Sequence, residues 1–177
     1  MALAIALTGG IIMMIAMAVF GMAIPTFINA NERARGVARD QAEMDDTIIK
    51  TRIEVATITA NATDTFVTAR LDNSGLTKLF DYSSFTVICS YPTPSGGNGT
   101  SVEITEELAY AGVTLADPEA GMWAISSFED DLRDPKILNP GESAYLRLAL
   151  PGEIGSGTLT VTISADNGVT SSGSIGV

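Results

Sequence analysis

The stretch that decides the reading of this chain is its first thirty residues, MALAIALTGGIIMMIAMAVFGMAIPTFINA (1–30), which contain no charged side chain. About 20 apolar residues suffice to cross a bilayer as a helix, so the stretch is long enough to span. A secretory signal is a poor match: it needs a basic start, a shorter apolar core and a small-residue cleavage site. Here no Lys or Arg precedes Arg33. The next residues continue the helix: in FINANERARGVARDQAEMDDTIIK (27–50), Phe27, Ala30, Ala34, Val37 or Ala38, Gln41, Met44 and Ile48 recur every three or four positions, with charged and amide side chains between them. Pro25 is expected to kink the axis and Gly36 to weaken it locally. A helix through residue 50 would be about 75 Å long at about 1.5 Å per residue. A domain of the remaining size cannot cover such a length, so the first half must lie in lipid or against copies of itself.

Outward from this helix the period changes to two. RIEVATITA (52–60) is rich in β-branched residues. Further on, Val67, Ala69 and Leu71, then Phe85, Val87, Cys89 and Tyr91, then Ala144, Leu146, Leu148 and Leu150, then Leu159, Val161 and Ile163 each share one face of a strand. SVEITEELAY (101–110) and MWAISSF (122–128) read as weaker strands. DNSG (72–75) is a turn, and Pro140-Gly141 suit the centre of a type II turn. Asn167-Gly168 suit a tight hairpin with positive φ. The expected fold class is α+β: a long hydrophobic helix over 1–50, then an all-β, immunoglobulin-like sandwich over 51–177.

Composition narrows function by exclusion. The chain carries 10 basic and 21 acidic residues, a net charge of −11, and the excess lies after residue 50. With no basic patch, nucleic-acid binding is not expected. The absence of histidine removes Ser-His-Asp and Cys-His machinery and every His-containing metal site. Cys89 alone cannot form an intrachain disulfide and reads as a small core residue; Trp123 likewise reads as core. The glycines of PGEIGSG (151–157) lie between strands and read as a turn, without a phosphate-binding context. Glu129, Asp130, Asp131 and Asp134 could offer oxygens to calcium, but they lack the spacing of an EF-hand loop and read first as a solvated acidic loop. No catalytic residue, cofactor or metal site is expected. Two sequons, at Asn61 and Asn98, are candidate glycan acceptors.

A long uncharged helix feeding directly into an all-β outer domain resembles the archaellum and type IV pilin-like family. The likeness is sharper in FINANERARGVARDQAEMDDTIIKTRIEVATITA (27–60) followed by VTARLDNSGLTKLFDYSSFTV (67–87) with its Asn-Ser-Gly turn at 73–75, in LNPGES (138–143) and in TVTISADNGVTSSGSI (160–175). Within that family the resemblance implies one of two roles. The first is a filament subunit, extracellular after a stage in the membrane, polymerising with itself through its helix for motility or adhesion. Its packing residues are then Leu3, Ile5, Leu7, Ile12, Ile15, Ala16, Val19, Phe20, Ile24 and Phe27. The second is a membrane-anchored accessory protein of the FlaF type, whose sandwich grips the surface layer as a stator. No basic residue precedes Gly9-Gly10, so processed precursors of this kind lead to the expectation that Met1 is already the mature start or that the chain is not processed. Bacterial pilins carry a Glu near the mature start; Ile5 or Ile15 stands there, which favours the archaeal style.

Overall fold

The computed structural model describes residues 2–62, 64–94, 101–131 and 133–177, with side chains described from residue 9 onward. The chain divides into two compact units, Met1–Asp45 and Asp46–Val177.

The helix α1 runs over Ala2–Lys50 and continues through Pro25 without a break in its secondary structure. Pro25 supplies no N–H to the carbonyl of Gly21. Next to it, the Thr26 hydroxyl donates to the Met22 carbonyl at 2.9 Å, so this polar group is satisfied inside the helix. The polar second half carries i,i+4 ion pairs, Arg39–Glu43 at 3.0 Å and Lys50–Asp46 at 2.5 Å. These are exposed and worth a few tenths of a kcal/mol each at most.

The second unit contains β1 (Ile53–Thr59), β2 (Phe66–Asn73), β3 (Thr86–Pro94), β4 (Ser101–Val113), β5 (Met122–Glu129), β6 (Ser143–Ala149), β7 (Thr158–Ser164) and β8 (Thr170–Gly176). Their order is β1-β2-β6-β5-β4-β3-β7-β8. All neighbours are antiparallel except β4 and β5. The result is a sandwich that nearly closes on itself. At one side β4 joins the two layers: Ser101–Leu108 pairs with β3, and Ala109–Val113 runs parallel to β5 across an irregularity at Tyr110/Gly112. At the other side the Val55 N–H donates to Ser171 Oγ at 3.1 Å, tying β1 to β8 without a backbone ladder.

Every alternating set read from the sequence faces the core. Val67, Ala69, Phe85, Val87, Cys89, Tyr91, Leu146, Leu148, Leu159, Val161 and Ile163 are buried, and Trp123 is 1% exposed with its ring 4.9 Å from that of Tyr110. Residues 101–110 are not a weak strand but part of the longest one, because β4 pairs with two different partners along its length.

Two turns refine the sequence reading. Gly141 has φ 85° and the Glu142 N–H donates to the Asn139 carbonyl at 3.0 Å, as a type II turn requires. The β7–β8 hairpin is of a different type from the one the Asn-Gly pair suggests. Only Gly168 has positive φ, at 83°; Asn167 does not. Gly168 N–H donates to the Ala165 carbonyl at 2.9 Å and Ala165 N–H to the Val169 carbonyl at 2.8 Å. This is a type I turn followed by a left-handed glycine, the three-residue hairpin solution.

Candidate functional site

Two regions stand out: the apolar half of α1, and the place where its last turn enters the sandwich. On α1 every described residue from 9 to 50 is exposed. Ile12, Ile15, Val19, Phe20, Ile24 and Phe27 are 55–73% exposed, and Ala16 is exposed beside them. The side chains of Leu3, Ile5 and Leu7 lie outside the described residues. Met13, Met14, Met17 and Met22 are exposed as well, so the apolar surface goes all the way round the helix. A helix apolar on every side is a lipid-facing or bundle-core element, not the amphipathic skin of a soluble domain. Val19, Met22, Ala23, Thr26, Phe27 and Ala30 border a shallow apolar trough along it. The stripe read over the polar half is also uncovered: Val37 and Met44 are about two-thirds exposed. Among the described residues one helix is long and apolar enough to cross a membrane.

The last helical turn and the start of β1 are held by two turns of the sandwich, all within the second unit. Thr51 N–H donates to the carbonyls of Thr47 and Ile48, and its hydroxyl donates to the Thr47 carbonyl at 2.8 Å. The terminal carbonyl of Lys50, which has no partner further along the helix, accepts from the Leu76 N–H at 2.7 Å. Leu76 is placed there by the 73–75 turn, where Asn73 Oδ1 accepts from Gly75 N–H at 3.1 Å. Asn73 is itself 1% exposed, with Nδ2 donating to the carbonyls of Thr77 and Leu138. From the far hairpin, Asn167 Nδ2 donates to Thr51 Oγ1 at 2.6 Å. Gly75 has no room for a side chain: a Cβ would stand 2.4 Å from the Arg52 nitrogen and 2.6 Å from the Lys50 oxygen. The Asn-Ser-Gly and Asp-Asn-Gly motifs, more than ninety residues apart in sequence, therefore meet at one place, the exit of the helix. Neither Gly75 nor Thr51 is legible as a contact residue from the sequence; the only signal is the turn motif itself.

The other sequence candidates fall out as follows. Asn61 is exposed in the β1–β2 connection, where its carbonyl accepts from the Asp64 N–H at 3.2 Å. Asn98 lies outside the described residues. Cys89 is fully buried, and burial, with a smaller contribution from Glu106, pushes its thiol up to about 12; it is inert core. Of the acidic residues at 129–134, Glu129 pairs with Arg70 at 3.3 Å, and Asp134 with Lys78. Among the described residues no group of three or more His, Cys, Asp or Glu side chains converges on a metal position.

The chain is similar to archaellum stator proteins. The archaellum periplasmic stator complex of FlaF and FlaG from Sulfolobus acidocaldarius matches with 19% identity and a TM-score of 0.49, over 71% of this chain and 89% of that one. The stator protein FlaG from the same organism matches with the same identity and TM-score, over 71% of this chain and 99% of that one. A β-glucosidase from Kluyveromyces marxianus matches at 10% identity with a TM-score of 0.30, over 72% of this chain and 14% of that one. No protein-family model matches the chain, and no curated protein does.

Proposed function

We propose that this chain is a membrane-anchored structural protein of the archaellum kind, held by α1 with its sandwich outside the membrane as a stator-like module. It has no catalytic role in this reading. One observation carries the anchor: the large apolar side chains from Ile11 to Ile28 are exposed all round the helix. The uncharged run of residues 1–31 is followed at once by Glu32, Arg33 and Arg35. At about 1.5 Å per residue that run covers a hydrocarbon core about 30 Å thick with margin to spare. The archaellum part of the reading rests on the sequence resemblance at the Asn-Ser-Gly turn and the C-terminal strands. The partners proposed are a surface-layer protein and other envelope proteins of the same apparatus. Asn61, exposed in its loop, is proposed as a glycan acceptor on that outer surface.

The second reading is a filament subunit whose α1 packs among copies of itself. All-round apolarity suits that role too. The charged second half favours the anchor, because a helix buried along its length in a bundle must desolvate Glu32, Arg33, Arg35, Arg39 and Asp40, and buried charges are costly unless closely paired.

Extraction of native membranes separates the two. The anchored reading expects a small, detergent-soluble particle and no fibres of this chain after shearing; long sheared fibres built of it overturn that reading. Ala16→Glu sets a carboxylate at mid-span, at a cost of about 2.5–3.5 kcal/mol on insertion scales. The chain is then expected to shift from the membrane to the soluble fraction, with the sandwich still folded.

A further inference from the structure

The first half of β4 is a free edge of the sheet. Residues 101–108 pair with β3 alone, and β5 reaches the strand only at Ala109, whose N–H donates to the Gly121 carbonyl at 2.9 Å. The ladder fixes which backbone groups face outward. The Pro92 carbonyl accepts from the Gly155 N–H at 2.7 Å, on the side of β3 away from β4, and proline has no N–H of its own. Pro92 stands opposite Glu103. In an antiparallel ladder such a pair exchanges no bonds, and each residue points its backbone groups away from the other. The register between β3 and β4 does not shift. Glu103, Thr105 and Glu107 therefore each turn an N–H and a carbonyl away from β3. No backbone group of another described residue bonds to them there.

Edges are commonly blunted by shortness, proline, a bulge or charge. Residues 101–108 are a long run without proline and without a bulge in their pairing with β3. What guards them is charge of one sign. The side chains of Glu103, Thr105 and Glu107 are exposed on the outer face. The Ser90 hydroxyl, 3.0 Å from Thr105 Oγ1, donates to Glu103 at 2.9 Å. On the other face Glu106 accepts from the Tyr91 hydroxyl at 3.2 Å. None of these three carboxylates has a Lys or Arg partner among the described residues. Val102 shares the face of the buried Leu108 and is nonetheless 54% exposed, with Ile104 half-buried between them.

The single sign of charge selects the occupant. A second copy pairing antiparallel about Thr105 would set each Glu103 against a Glu107, and like charges directly opposite are destabilising. A strand with Lys or Arg at those positions is favoured by the same rule. We propose that the 101–108 edge of β4 takes up an extended, basic segment of another protein by strand addition. The ladder runs to Glu103, Thr105 and Glu107. Lys or Arg stands opposite the two glutamates, and β-branched residues at the intervening positions cover Ile104 and Val102. The proposal depends on the sandwich alone and holds for either reading of α1.

The test titrates the full chain in detergent with a capped heptapeptide, Thr-Lys-Val-Thr-Val-Lys-Thr, and follows amide NMR. The Glu103, Thr105 and Glu107 N–H signals are expected to shift saturably, and binding to weaken as salt is raised. An analogue with proline at the central position keeps both charges but breaks the ladder; it is expected to bind about tenfold more weakly, the equivalent of one or two hydrogen bonds. An analogue with Glu in place of both Lys is expected not to bind. Glu103→Lys combined with Glu107→Lys changes only exposed side chains and is expected to exchange the preference between the basic and acidic peptides. No shift at millimolar basic peptide overturns the proposal, as do shifts confined to other amides. Equal binding of the proline analogue overturns it by showing attraction to an acidic surface alone. Dimerisation of the peptide-free chain that moves the same three amides puts a second copy on the edge and overturns it as well.

Discussion

Gly75→Ala tests the idea that the helix exit is locked by backbone-to-backbone contact. The position carries no positive φ, so alanine suits its backbone and any cost is steric. The added Cβ would lie 2.4 Å from the Arg52 nitrogen and 2.6 Å from the Lys50 oxygen, whereas ordinary contact begins near 3.4 Å. Both neighbours are backbone, so the 73–76 turn or the chain at 50–52 must retreat by about 1 Å, a forced overpacking that costs about 1–3 kcal/mol. A shift of that size breaks the 2.7 Å bond from Leu76 N–H to the Lys50 carbonyl. Leaving that carbonyl poorly paired adds about 1–2 kcal/mol. The sum, about 2–5 kcal/mol, corresponds to a fall in Tm of roughly 6–15 °C for a domain of this size. The assay is thermal unfolding of the full chain in detergent, followed by near-UV circular dichroism of the single, buried Trp123. Gly36→Ala is the control: nothing lies within 4 Å of its Cβ position, and the sandwich transition should not move. A fall of less than about 2 °C in Gly75→Ala would refute the reasoning, since the turn would then be free to give way.

Further outcomes follow from the same contacts. Asn167→Ala removes the 2.6 Å bond to Thr51 and the 3.2 Å bond to Val169 N–H; unfolding free energy should fall by about 1 kcal/mol. Combined with Gly75→Ala, its effect should be less than additive by at least about 0.5 kcal/mol, because both act on one segment. Cys89 keeps its proton in the folded state up to about 12, whereas the unfolded thiol ionises near about 8.5. Its contribution is therefore fully present below about pH 8.5 and is lost as pH rises toward 12. Denaturant titrations should show about 1–2 kcal/mol lost between pH 8.5 and 10, and Cys89→Ala should abolish most of that slope. Leu148, fully buried where β6 faces both β2 and β5, should cost about 2–5 kcal/mol on replacement by alanine, read as a lowered urea midpoint.

The sequence by itself determined the parts of this protein that depend on local order. A run of thirty residues without charge makes a helix apolar on all sides, because no position is available for a polar face. Period-two alternation of Val, Ile and Leu fixes which face of each strand is buried, since side chains alternate along a strand. All-β character, the burial of Cys89 and Trp123, and the type II turn at Pro140-Gly141 follow from such near-neighbour constraints. Tertiary structure decided what depends on pairing across the chain. That includes the strand order, the parallel β4–β5 pair and the Ser171 tie between β1 and β8, because alternation says which side faces inward but not which strand lies alongside. It also includes the meeting of the 73–75 and 166–168 turns at Lys50–Arg52, where Gly75 is needed for a contact that no local pattern encodes. The acidic loop shows the same division. Its carboxylates are plain in the sequence, but only the fold separates Glu129 and Asp134, each neutralised by a cation from a distant strand or loop, from Asp131. Only the fold buries Asn139 and Glu142, read from sequence as turn residues, with the Glu142 carboxylate accepting from the Asn139 N–H and Nδ2.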